Sequence, residues 1–223
     1  YKDKNGRVIL KKVQAAETAD GAYSGWLSTY YVYDDYGNLR FVISPKAVAK
    51  MLTDNVWNIN QALADELCFS YEYDSRQRLI AKKVPGAGWI YMVYDKRDRM
   101  VYTQDANMRP TNQWMANFYD VLNRPVMTGM VTTTFQHNAI QDYVKGLNLN
   151  AAPIIVDGIS VQVNPLPVGS SFVSLTKTYY DNYDFTNAAY DNSLNSKLVN
   201  NGTNVYAENN PNNAFKDIDN FVT

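Results

Sequence analysis

Five copies of one short phrase constrain what the first 130 residues can fold into. They run Asp3–Val8, Asp34–Leu39, Asp74–Leu79, Asp95–Met100 and Asp120–Pro125, and in the last four a tyrosine (Tyr33, Tyr73, Tyr94, Tyr119) directly precedes the aspartate. Self-similarity of this kind marks an array whose units bury little alone and lean on their neighbours. An aspartate at the first position of a type I turn accepts a backbone N–H two residues on and so pre-forms the bend. Three residues later the chain must turn left-handed before rejoining the ladder, as in a hairpin with a G1 bulge. Gly6, Gly37, Asp98 and Asn123 stand at that position and tolerate positive φ; Gln77 is the exception, open to strain or to another turn type.

The flanks predict strands. Phe69, Tyr71 and Tyr73 alternate with Ser70, Glu72 and Asp74, a period of two. Trp89–Tyr94 is apolar on both parities, which suits a strand covered on both faces. After the turns come Val8–Leu10, Leu39–Ile43, Leu79–Ala81 and Met100–Thr103, rich in β-branched and aromatic types. The expected fold class is mainly β: antiparallel hairpin repeats forming a curved, shell-like sheet with short helical insertions.

These phrases, with Glu66–Asp74 and Pro85–Asp95, resemble the YD-repeat (RHS) family of large bacterial proteins over residues 1 to about 131, and Thr178–Phe185 is a fainter echo. In that family successive hairpins join into a long sheet that winds into a hollow β-shell. Several bacterial members enclose a toxic C-terminal domain, and comparable repeats occur in animal cell-adhesion teneurins. The resemblance implies a piece of a larger extracellular or cell-surface protein, with the parent chain's other repeats, an encapsulated C-terminal toxin domain or surface glycans as partners. The chain departs from the pattern at Lys2, where tyrosine is expected. Its aspartates are unevenly spaced, 31, 40, 21 and 25 residues apart, and neither the family's core segment after the repeats nor a toxin domain is recognisable.

Insertions account for the longest gap. Ser44–Leu52 predicts a helix with Ser44 as N-cap and Pro45 at its first position. Asn60–Leu67 is a second short helix, with Leu63 and Leu67 four apart. Residues 1–131 thus form a first region with a helical insertion near 44–67. Residues 132–223 continue as a β segment: a helix over Gln136–Gly146 closed by Gly146, strands over Ile154–Val156, Ile159–Val163 and Ser171–Tyr180, a two-residue turn at Asp157-Gly158, and an asparagine-rich tail read as extended loop. Cut from a winding sheet, such a segment would expose strand edges near 1–13 and 172–180.

The chemistry is thin. The turn aspartates stand beside arginine or lysine in most copies, so a turn role outweighs acid–base work or calcium ligation. His137 is the single histidine, which excludes a two-histidine metal site or a histidine-based triad within the chain, and at a polar helix start it reads as a surface residue. Cys68, the single cysteine, reads as a small buried residue of a strand and can form no internal disulfide. Pro85–Trp89 lacks the lysine and following helix of a phosphate loop and reads as a connecting turn. Asn201–Thr203 matches a glycosylation acceptor by a pattern common by chance. With a net charge of −1, no basic face suggests nucleic acid, and no apolar run reaches a membrane span. Trp26, Trp57, Trp89 and Trp114 suit the covered face of a sheet or, alternatively, a stacking platform for sugars. The expectation is a non-enzymatic module with no catalytic, cofactor or metal site: part of a β-shell in a toxin-enclosing or toxin-delivering protein or, alternatively, an adhesion or carbohydrate-binding module.

Overall fold

The computed structural model describes residues 1–180. Backbone contacts divide the chain between Leu175 and Thr176, and the architecture below is that of the first unit. The echo at Thr178–Phe185 beyond Tyr180, the asparagine-rich stretch and Asn201–Thr203 lie outside the described residues.

The strands are β1 (Leu10–Gln14), β2 (Trp26–Tyr33), β3 (Leu39–Ile43), β4 (Cys68–Tyr73), β5 (Leu79–Lys83), β6 (Ile90–Tyr94), β7 (Met100–Gln104), β8 (Gln113–Tyr119), β9 (Pro125–Thr132) and β12 (Ser171–Lys177). They form one open ten-stranded sheet in the order β1-β2-β3-β4-β5-β6-β7-β8-β9-β12. Every pairing from β1 to β9 is antiparallel between strands adjacent in sequence. The phrases at Asp34, Asp74, Asp95 and Asp120 join β2 to β3, β4 to β5, β6 to β7 and β8 to β9, while the Asp3 phrase closes a Lys2–Val8 bridge ahead of β1. All five turns therefore line one rim of the sheet, and the insertions sit at the opposite ends of the strands.

Each of the four hairpins shifts register just before its aspartate, at Val32/Tyr33, Glu72/Tyr73, Val93/Tyr94 and Phe118/Tyr119. That is the bulge expected when one strand carries an extra residue in left-handed conformation. Gly6, Gly37, Asp98 and Asn123 have φ of 79°, 87°, 61° and 64°, and Gln77 adopts the same conformation at 60°. The turn type is thus common to all five copies, and glutamine bears the strain at the third.

The insertion folds as α1 (Pro45–Thr53) and α2 (Gln61–Leu67). The Ser44 hydroxyl accepts the Ala47 N–H at 3.2 Å, and the Asn60 side chain accepts the Leu63 N–H at 2.9 Å. Their apolar faces (Ala47, Val48, Met51, Leu63, Leu67) pack with buried Cys68 on Tyr30, Phe41 and Ile43. Tyr30, Ile43 and Cys68 are one cross-strand row of β2, β3 and β4. A second core lies over the row Val93–Tyr102–Ala116–Gly129 of β6 to β9. It is covered by Ile140 and Val144 of α3 (His137–Gly146) and by Ile159 and Val161. In β6 the adjacent residues Met92 and Val93 are both buried, as a strand covered on both faces requires.

Three expectations for the second region need correction. Gly146 does not close α3 in a left-handed cap; it is the last helical residue, and extended Leu147 follows with its N–H on the Val144 carbonyl. The hairpin expected over 154–163 forms, but its second strand ends at Val161 and the pair stands apart from the main sheet. β10 (Ile154–Val156) and β11 (Ile159–Val161) form their own ribbon about the turn at Asp157 (φ 48°) and Gly158 (φ 81°), because Ile159 and Val161 are spent on the core beneath them. The strand expected over Ser171–Tyr180 ends at Lys177.

Gly129 is the point of closest approach. A Cβ there would stand 2.3 Å from the Phe172 ring and 2.6 Å from the Val173 carbonyl oxygen, so β12 can lie beside β9 only if residue 129 has no side chain. Gly129→Ala is expected to cost about 2 kcal/mol through overpacking. Gly146→Ala, which meets nothing within 4 Å, should be neutral or stabilising by up to about 1 kcal/mol. Urea unfolding of both variants measures the contrast.

Candidate functional site

The most elaborately bonded polar region of this chain is the turn rim. In every copy the aspartate's Oδ1 accepts two backbone N–H groups, from the second and fourth residues after it. For Asp95 these are Arg97 and Arg99 at 2.9 and 3.0 Å, and for Asp120 they are Leu122 and Arg124, both at 2.9 Å. Its Oδ2 faces the side chain of the fourth residue: Arg7 Nε at 2.7 Å, Arg78 Nε at 2.8 Å, Arg99 Nε at 2.7 Å and Arg124 Nε at 2.6 Å. In the second copy that residue is Asn38, whose Nδ2 donates to Asp34 at 3.1 Å. The Asp95–Arg99 pair is the most enclosed, its side chains 1% and 9% exposed.

The arginines also bind one copy to the next. Arg7 lies over the ring of Tyr33, Arg78 over Tyr94 and Arg99 over Tyr119, each 4.8–4.9 Å from the ring centre. The tyrosine hydroxyls in turn donate to a backbone carbonyl of the preceding copy: Tyr33 to Val8 at 3.1 Å, Tyr94 to Leu79 at 3.0 Å and Tyr119 to Met100 at 2.9 Å. The left-handed residue closes the circuit where its side chain is an acceptor. Asp98 receives Arg76 and Arg78 at 2.9 and 2.8 Å, and the Asn123 side-chain carbonyl receives Arg97 and Arg99 at 3.1 and 3.0 Å. Aspartate, arginine and tyrosine thus form a relay from turn to turn: every copy holds its own bend, and the copies with Arg7, Arg78 and Arg99 also grip the next.

The protonation of the rim follows from these bonds. Burial alone would raise the pKa of Asp74. The hydrogen bonds from the Arg78 side chain and from the Arg78 and Arg76 amides outweigh it and leave the carboxyl below its ordinary 3.8. Asp3 and Asp34 are lowered for the same reasons, with Arg7 and Asn38 as the chief donors.

The remaining candidates are dispersed. Cys68 is fully buried at the start of β4, and burial pushes its thiol pKa up, which suits packing rather than attack. His137 is not the surface residue expected. Its ring is half-buried, stacked on Tyr91 at 4.6 Å, and its Nε2 lies 3.2 Å from the Met92 carbonyl. Burial depresses its pKa. The polar start of α3 hid this, because Tyr91 comes from a strand far back in the chain.

The tryptophans differ in their surroundings and present no open row of rings. Trp114 is fully buried, the Lys12 ammonium lies 5.7 Å from the Trp26 ring, and Trp57, 54% exposed, packs on Tyr23 at 5.2 Å. Pro85–Trp89 is a connecting turn between β5 and β6, as expected; a Cβ on Gly88 would lie 2.5 Å from that of Ala106. Among the described residues no cluster of three or more histidine, cysteine or carboxylate side chains could hold a metal ion, and no helix is long and apolar enough to cross a membrane.

No protein-family model matches the chain, and no curated protein does. Solved structures similar to it include a Tc holotoxin pore of Photorhabdus luminescens (21% identity over 60% of this chain and 6% of that one, TM-score 0.43). A TcdB2-TccC3 crystal structure is similar at 21% identity over 60% and 6% of the two chains, with a TM-score of 0.44. A TcdB2-TccC3-TEV structure gives 20% identity over 65% and 7%, with a TM-score of 0.43. The chain therefore spans well under a tenth of the length of these proteins.

Removing one member of an enclosed ion pair leaves the other uncompensated. Asp95→Ala is expected to cost about 3 kcal/mol, while Tyr119→Phe, which keeps the ring under Arg99 and loses one hydrogen bond, costs about 1 kcal/mol. Denaturant midpoints of the two variants against the native chain check the ranking.

Acid provides a second test. A carboxyl whose folded pKa is depressed contributes stability that is fully present above its unfolded pKa and is lost as pH falls through the folded value. The melting temperature should therefore lose the contribution of Asp3, Asp34 and Asp74 only below about pH 4. In Asp74→Asn that acid-dependent fall should be shallower, as a thermal series from pH 7 to pH 2 would show.

Proposed function

We propose that this chain is a non-catalytic structural module of a bacterial RHS/YD-repeat protein, a stretch of β-shell wall that encloses or delivers a toxin domain. The observation that supports it most is the commitment of the repeated polar groups. The Asp3, Asp34, Asp74, Asp95 and Asp120 carboxylates all hold their own turns, and Arg7, Arg78 and Arg99 grip the tyrosine of the following copy. Groups held in this way shape a wall and leave little to serve as acid, base or metal ligand. Strands paired in chain order suit an array that lengthens by adding hairpins. The partners are then the other repeats of the parent chain and an enclosed C-terminal toxin domain, and the setting is extracellular or at the cell surface.

The adhesion or glycan-binding alternative draws less support. It needs an open aromatic face, and of the four tryptophans only Trp57 is largely exposed, its ring packed against Tyr23.

Two measurements test the reading. The purified chain should turn over no glycosidase, esterase or peptidase substrate; turnover abolished by an Asp or Glu substitution would overturn the non-catalytic role. In the parent protein, segments C-terminal to this one should resist protease until Asp95→Ala and Asp120→Ala together weaken the wall. Equal digestion of native and substituted protein would remove the enclosing role.

A further inference from the structure

The relay has a gap. Between consecutive hairpins the strand ladder begins only at the seventh residue after each aspartate: Phe41 opposite Ser70, Ala81 opposite Tyr91, Tyr102 opposite Ala116. Nearer the rim the strands Leu39–Arg40, Leu79–Ile80 and Met100–Val101 have no ladder partner across the junction. At the second and third of these junctions, side chains span the opening. Arg78 lies over Tyr94 and bonds Asp98, with the Tyr94 hydroxyl on the Leu79 carbonyl; Arg99 lies over Tyr119 and bonds Asn123, with the Tyr119 hydroxyl on the Met100 carbonyl.

The first of the three, between β3 and β4, has none of these spans. Asn38 occupies the arginine position and reaches only its own Asp34. Among the described residues no cation lies over the Tyr73 ring, no hydrogen bond joins its hydroxyl to the Leu39 carbonyl, and Gln77 accepts nothing from the turn before it. Arg40 comes close enough for its charge to act on Asp34 and Tyr73, but makes no hydrogen bond or ring contact with either. The far end of the same strands is the opposite case. There α1 and α2 clamp Phe41, Ile43 and Cys68 into one apolar cluster.

We propose that the β3–β4 junction is the point at which the rim opens, with the α1–α2 cluster as its hinge. Opening there exposes the edges Leu39–Arg40 and Tyr71–Tyr73 while the two following junctions stay shut. The cause is one residue type: asparagine has neither the length nor the charge to grip the next tyrosine.

Hydrogen exchange on the intact chain, read by mass spectrometry, tests this. Amides of residues 39–40 and 71–73 should exchange about tenfold faster than those of 79–80 and 92–94 or of 100–101 and 117–119, the ratio set by losing a cation–π contact and a hydrogen bond. Asn38→Arg should slow the first set by about the same factor, and Arg78→Asn should move fast exchange to the β5–β6 junction. Equal protection at all three junctions would overturn the proposal, as would an Asn38→Arg chain whose 39–40 and 71–73 amides are unchanged. Should Arg78→Asn fail to fold, the native chain and Asn38→Arg decide alone.

Discussion

One carboxylate per hairpin carries the architecture. An aspartate side chain that accepts two amides of its own turn fixes the bend, and the register of the flanking strands follows from the bend. Because the side-chain period of a strand is two, a slip of one residue would turn Val93, Tyr102 and Ala116 away from the core they share. The same carboxylate anchors the arginine, so local turn chemistry and the contact between copies depend on a single group. Loss of that group would disturb both levels together.

The sheet is polarised by this arrangement. At one rim, stability comes from hydrogen bonds and ion pairs, most of them partly wet and worth little alone, with the enclosed Asp95–Arg99 pair the exception. Elsewhere it comes from helices and loops that bury apolar rows: α1 and α2 at the far strand ends, and α3 over the sheet face as far as the rim, where the Gln141 side chain bonds both the N–H and the carbonyl of Tyr94. The α1–α2 cluster covers β2 to β4, whereas α3 and the β10–β11 ribbon cover β6 to β9. Tyrosine suits the polar rim because one side chain supplies a face for guanidinium and a hydroxyl for a carbonyl.

Much of this was legible in the sequence, and the reason is range. The bend, the bulge and the two helix caps depend on residues two to four apart, and Asp34, Ser44 and Asn60 behave as their positions imply. Gln77 shows the limit of propensity, since six hydrogen bonds within its turn outweigh its reluctance to adopt positive φ. What escaped was contact between copies. Asp98 and Asn123 read as conformationally permissive residues, yet each is also an acceptor for the preceding turn. The signal was present in the joint recurrence of tyrosine before the aspartate and arginine four after it. Only the sheet order shows that one copy's arginine meets the next copy's tyrosine. His137 and Gly146 were misjudged because their surroundings come from β6 and from the extended Leu147 segment, which helix-local reasoning does not see.

The strand order has a kinetic meaning. From β1 to β9 each strand pairs with the one just before it, so every new hairpin can dock on finished structure as the chain emerges. Only later does the segment from His137 return over β6, bridging 45 residues to the Met92 carbonyl. Growth of the sheet is therefore vectorial, and its lid arrives last. Until then the apolar row of β6 to β9 stands uncovered, and the exposure to misassembly ends with the arrival of α3.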